Sequence, residues 1–128
     1  MGDWTADDVV AAIEAYARSA TDGRVDDIAA LFAEDAELRD PFDGPVVRGR
    51  KAITEFFRAG ASMIDRLAVA GPVRVTADAR SAAAPMVASV TIEGAALEMD
   101  TVDVFFFAAD GRFSAMHAFY GPTNVRPR

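Results

Sequence analysis

In the first half of the chain apolar residues recur at helical spacing; in the second half they alternate. Val9, Val10, Ile13, Tyr16, Ala17 and Ala20 fall three or four apart and predict a helix over residues 5–20. Thr5-Ala6-Asp7-Asp8 has the form of a capping box, with Asp8 in place of the usual Glu or Gln, and Asp22-Gly23 is a plausible stop. Ile28, Leu31 and Phe32 predict a second, short helix over 25–33. Residues 36–40 read as a strand in which Ala36, Leu38 and Asp40 share one face and Glu37 and Arg39 the other. After a turn at Asp43-Gly44-Pro45 and a short extended run, Val46-Val47-Arg48, a third helix is expected over 51–60, with Ile53, Phe56 and Phe57 as its inner stripe.

Beyond Gly60 the spacing becomes extended. Strands are expected over 63–70, 73–77, 84–93, 95–108 and 113–120, separated by Gly71-Pro72, a turn at 78–81, Glu93-Gly94 and a tight turn at 109–112. The tail, 124–128, reads as frayed. Helices first and strands after give an α+β class: one domain over 1–128, with three N-terminal helices on one face of a mostly antiparallel sheet. The longest strand is apolar on both faces toward its end, at Val102, Val104 and Phe106 as well as Phe105 and Phe107. One face packs on the helices; the other predicts a homodimer built on the sheet, because isolated domains rarely expose patches that large.

Composition narrows the function classes. With 128 residues the chain can bury a sizeable core in one domain. A formal net charge of −7 argues against sequence-independent nucleic-acid binding and against an anionic membrane surface. No apolar run approaches a membrane span, and the N-terminus lacks the basic-then-apolar order of a signal peptide. There is no cysteine and one histidine, His117, so neither a thiolate metal site nor a tightly bound zinc ion is expected. These features fit a cytoplasmic chain.

Three inward positions carry the chemistry. Asp40 ends its strand directly before Pro41, which disfavours the helical region for the residue it follows and aims the carboxylate along the apolar face. Asp103 is the stronger oddity: it lies mid-strand in Val102-Asp103-Val104-Phe105-Phe106-Phe107, with no Lys or Arg nearby in sequence. Burying an ionised carboxylate without partners costs several kcal/mol, so Asp103 either finds a distant cation or becomes neutral. Tyr16 points inward from the first helix, between Ile13 and Ala20. One ionised base and two neutral donors are what proton abstraction beside a carbonyl needs. His117 alternates away from Met116 and is expected on the opposite face.

The chain resembles the ketosteroid isomerases (3-oxo-steroid isomerases) of the SnoaL-like and nuclear-transport-factor-2-like superfamily, from Val9 to about Val125. The resemblance rests on Tyr16, on Asp40 within Leu38-Arg39-Asp40-Pro41, on Asp103, and on Ser114 to Gly121 as the last strand. It implies a cone-shaped curved sheet with the helices on its concave face, Asp40 as general base, and Tyr16 and Asp103 as oxyanion donors. The family is itself a standard illustration of aspartates tuned apart by environment. The implied reaction moves a double bond from the Δ5 to the conjugated Δ4 position of a 3-oxo-steroid, without cofactor or metal. Phe56, Phe57, Phe105, Met116 and Tyr120 are the implied walls of an apolar steroid slot. Phe32 and Phe57 stand where some members carry tyrosines that hydrogen-bond the oxyanion tyrosine, and Tyr120 stands where some carry tryptophan. Two other readings fit the residues: an epoxide hydrolase or cyclase on the same fold, whose paired acids activate a nucleophile and protonate the epoxide oxygen, and a non-catalytic small-molecule binding protein.

Overall fold

The computed structural model describes residues 3–128. Helix α1 spans Ala6–Thr21 and α2 Val25–Ala30; strand β1 spans Phe32–Arg39 and β2 Val46–Arg48; helix α3 spans Arg50–Gly60. Strands β3 (Ile64–Val69), β4 (Arg74–Val75), β5 (Ser81–Ile92), β6 (Ala95–Phe107), β7 (Phe113–Phe119) and β8 (Val125–Pro127) complete the fold. The expected α+β class holds: three helices lie on a large, curved, unclosed sheet.

Helix α1 starts where its cap is. The Thr5 backbone N–H donates to the Asp8 carboxylate at 2.8 Å, so Asp8 closes the capping box although it is one methylene shorter than Glu. Val9, Ile13, Tyr16, Ala17 and Ala20 form the buried stripe. Helix α2 ends at Ala30, three residues short of the expected end, and Phe32 opens β1 instead of closing a helix. Tertiary pairing overrides the local pattern here. The Phe113 N–H donates to the Leu31 carbonyl at 2.8 Å, and the Arg50 guanidinium grips the Phe32 carbonyl at 2.7 and 3.0 Å.

The sheet runs β2-β1-β7-β6-β5-β3, with β4 beside β5 and β8 beside β6. All pairs are antiparallel except β1 with β7. The tail expected to fray is β8. It pairs with Leu97, Glu98 and Met99 of β6, while Arg126 bonds Glu98 and Asp100, and Arg128 bonds Asp65. In an acidic chain, terminal arginines find carboxylates on the neighbouring strands.

The core lies between the helices and the concave face of the sheet. Phe32, Phe105, Phe113, Ile13, Leu38, Ile53, Met86, Met116 and Val9 are its largest fully buried side chains. The outer face differs. Phe42, Val102, Phe106 and Phe119 stand at 38–43% exposure, with Phe42 stacked on Phe119 at 4.6 Å. His117 also lies on this outer face, its Nε2 2.8 Å from Glu37 and its ring against Phe42 and Phe106. Among the described residues no helix is long and apolar enough to cross a membrane.

Candidate active site

A cavity of about 430 Å³ opens between the helices and the concave face of the sheet. Three secondary-structure devices bring the three acids of the sequence reading to it. Tyr16 enters from the middle of α1. Asp40 sits one residue past β1, where Ala36 and Leu38 have already set the inward face. Asp103 enters from β6, opposite Ala84 of β5 and Ala118 of β7. All three line the same cavity, with Tyr120 and Thr101 as its other polar residues of any length. The remaining lining is apolar or glycine, including Ile28, Leu67, Val90 and Met99. No Lys, Arg or His side chain is among the lining residues.

The cluster therefore has to settle its charges without a cation. Asp103 is 3% exposed, and its carboxyl is pushed up to about 7. Burial is the main cause and the Asp40 carboxylate the second; a hydrogen bond from Thr101, 2.9 Å away, pulls the other way. Asp40 is partly buried and also raised, again chiefly by burial, with the nearby Tyr120 hydroxyl opposing. Tyr16 is held well above the ordinary tyrosine range by burial and then by the negative potential of Asp103 and Asp40, so it stays a neutral donor. Burial and Asp40 raise Tyr120 likewise.

No buried side-chain oxygen or nitrogen of the described residues lacks a partner. Yet among the described residues the Tyr16 hydroxyl has no hydrogen-bond partner, and the Asp103 carboxyl has one, Thr101. The Tyr16 hydroxyl and the second Asp103 oxygen thus open onto the cavity, available to a ligand. The Tyr16 ring is fixed edge-on by Phe57, Phe105 and Phe113 at 5.8–6.3 Å between centroids. Phe32 packs against Phe57 and Phe113, so the shell behind Tyr16 is wholly apolar and supplies no hydrogen bond to its hydroxyl.

Of the expected pocket walls, Phe56, Phe57 and Tyr120 line the cavity. Phe105 and Met116 do not. Phe105 is fully buried behind Tyr16, and Met116, paired with Leu38 and Phe105 across the sheet, belongs to the core. They share a strand face with cavity residues but lie deeper, Phe105 beneath Tyr16 of α1 and Met116 between β1 and β6. Thr101 partners Asp103 without having been among the expected site residues, and its signal is the two-residue spacing that puts both on one face of a strand. Tyr120, expected as a wall, also lies beside Asp40, and no local pattern pairs residues that far apart in sequence.

The family description of the SnoaL-like domain matches residues 13–116. The chain belongs to the SnoaL-like family. It is 36% identical to a steroid Δ-isomerase of Nocardioides simplex, over 92% of this chain and 94% of that relative. Among solved structures, the epoxide hydrolase/cyclase-like enzyme SalBIII, of pyran ring formation in the polyether salinomycin, superimposes with a TM-score of 0.90. It is 26% identical, and both chains are covered in full. The superposition fits this SnoaL-like chain to the cone-shaped sheet that the sequence resemblance implied.

Proposed function

We propose that this protein is a steroid Δ-isomerase that converts 3-oxo-Δ5-steroids to their conjugated 3-oxo-Δ4 isomers. One observation carries the reading: a partly buried carboxylate and two neutral donors converge on one cavity whose lining is otherwise apolar but for Thr101 and Tyr120 and includes no Lys, Arg or His. The 36% identical relative that bears the isomerase name supports it. In the proposed reaction the Asp40 carboxylate takes a proton from carbon 4. The C–H electron pair enters the π system and charge collects on the 3-oxygen as a dienolate. The Tyr16 hydroxyl and the protonated Asp103 carboxyl donate to that oxygen. Asp40 then returns the proton to carbon 6, the double bond comes into conjugation, and no cofactor takes part. Burial raises Asp40 above an ordinary aspartate and makes it a better base; the apolar surroundings strengthen donors aimed at developing charge.

Conjugated-enone absorbance on adding purified protein to a Δ5-3-ketosteroid tests this directly. A rise no faster than in buffer, from folded protein, sinks the reading. The likeness to the epoxide hydrolase/cyclase-like structure favours one other chemistry, in which one aspartate activates a nucleophile and the other protonates an epoxide oxygen. Turnover of an epoxide panel with no enone signal selects that alternative. A binding protein without catalysis requires function to survive Asp40→Asn.

We further propose that the protein acts in the cytoplasm as a homodimer. Phe42, Val102, Phe106 and Phe119 form an apolar patch on the outer face of the sheet, and the charges beside it, Glu37 with Arg39 and Arg48, are already paired with one another. Phe106→Glu should shift the mass measured by light scattering from dimer to monomer; a wild-type chain that is monomeric throughout refutes the dimer.

A further inference from the structure

We propose that Thr101 is a positioning residue for Asp103, engaging one carboxyl oxygen so that the other carries the proton into the cavity. The role rests on the reading of Asp103 as an oxyanion donor. Thr101 and Asp103 lie two apart on β6, on the inward face, and both line the cavity. The Thr101 Oγ1 donates to Asp103 Oδ1 at 2.9 Å. A carboxyl oxygen that accepts a hydrogen bond is the one that keeps its lone pairs; the proton of the neutral acid then sits on Oδ2. Among the described residues that oxygen has no partner, and it is open to the cavity. Without Thr101 the proton is free to sit on either oxygen, and half of the arrangements turn the donor away from the ligand.

The same hydrogen bond has a second consequence. Donation to a carboxylate favours its charged form. The groups facing Asp103 are Tyr16 from α1, Asp40 beyond β1 and Tyr120 beyond β7; its partners across the sheet, Ala84 and Ala118, are uncharged. Burial and Asp40 both push Asp103 toward neutrality, and Thr101 is the one group that opposes them. Thr101 thereby places the donor-to-acceptor change of Asp103 near neutral pH and gives the site an upper pH limit.

The test compares Thr101→Val, which keeps the shape and removes the hydroxyl, with Thr101→Ser, which keeps the hydroxyl. Two readouts are taken: the ¹³C NMR titration of the Asp103 carboxyl, assigned through Asp103→Asn, and the pH profile of kcat/KM. In Thr101→Val the titration and the alkaline limb should move together to higher pH, by about one pH unit. At pH 6 kcat/KM should fall about three- to tenfold, the worth of one hydrogen bond. Thr101→Ser should restore both. Thr101→Ala stands in if the valine variant melts. A titration that stays in place in both hydroxyl-free variants, or a serine variant that behaves like valine, overturns the proposal. The NMR readout needs no turnover. A shifted titration in a protein silent toward ketosteroids supports the Thr101–Asp103 link while sinking the isomerase reading.

Discussion

Glu37 and Asp103 are carboxylates on the same sheet with opposite fates. Glu37 faces outward from β1. Arg39 bonds it at 3.0 Å, His117 at 2.8 Å, and Arg48, its register partner on β2, lies at 3.2 Å. Those partners hold its carboxyl below the usual range, the Arg39 hydrogen bond most of all. Asp103 faces inward from β6, meets no cation, and is pushed up to about 7. The division runs through single residues. On β7, His117 turns out to Glu37, while the next residue, Ala118, turns in to line the cavity beside Asp103. A sheet that can pair its charges outside leaves an acid unpaired inside. That acid costs folding stability and gains a donor that water cannot compete for.

The largest effect is expected from removing the charge of the third carboxylate, Asp40, while keeping its shape. Asp40→Asn should lower kcat for the ketosteroid by ~10²–10⁴, the usual worth of a positioned base. Steady-state kinetics on the enone signal measure it. If Asp40→Asn and a surface control such as Asp110→Asn fall alike, the inward cluster has no catalytic privilege.

This division was legible in the sequence where it depends on alternation. Ala36, Leu38 and Asp40 on one face, and Asp103 among Val102, Val104 and Phe105, needed only the two-residue period of a strand. The capping box of α1 needed only four adjacent residues. What stayed hidden depends on contacts between distant segments. Phe32 looks helical until Leu31 and Phe113 pair, and the last residues look loose until Arg126 meets Glu98 and Asp100. Phe105 and Met116 share a face with the cavity residues, and depth below that face has no period in the sequence. The partnership of Tyr120 with Asp40 is tertiary in the same sense.

The next largest effect is on stability. An acid whose folded pKa is raised binds its proton more tightly folded than unfolded. Its contribution is therefore greatest below the unfolded value and is lost as pH rises toward the folded one. For Asp103 that window runs from the ordinary 3.8 to about 7 and corresponds to ~4 kcal/mol. Asp103→Asn removes the loss. Urea melts should show the asparagine variant gaining on the wild type between pH 4 and pH 8, by up to that amount. A difference independent of pH means that Asp103 is paired in solution and the contrast with Glu37 is gone.

Removing one donor at a time sharpens the inward half. Asp103→Leu and Tyr16→Phe should each lower kcat by ~10²–10³, because the other donor remains. Asp103→Asn should lose less than Asp103→Leu, since the amide still donates. Tyr16→Phe creates no new polar group in the shell of Phe57, Phe105 and Phe113, so its melting should stay close to wild type. Kinetics and melts on the same samples separate lost donation from lost packing.

The smallest effect belongs to the outer carboxylate and completes the contrast. Glu37→Gln leaves the cavity untouched, and kcat should stay within about twofold of wild type, far from the loss at either inward aspartate. The pairs it breaks are partly exposed and worth ~1 kcal/mol or less together. The sign with pH is opposite to that of Asp103. A carboxyl held below its ordinary value stabilises the fold above that value, and the contribution disappears as acid protonates it in the folded state. The stability gap between wild type and Glu37→Gln should thus be open at pH 7 and close as pH falls below about 4.5. Melts at fixed protein concentration follow it. A gap that widens in acid, or a kcat that drops with Glu37→Gln as it does with Asp103→Leu, would mean that the outer charge network reaches the inner site through β1.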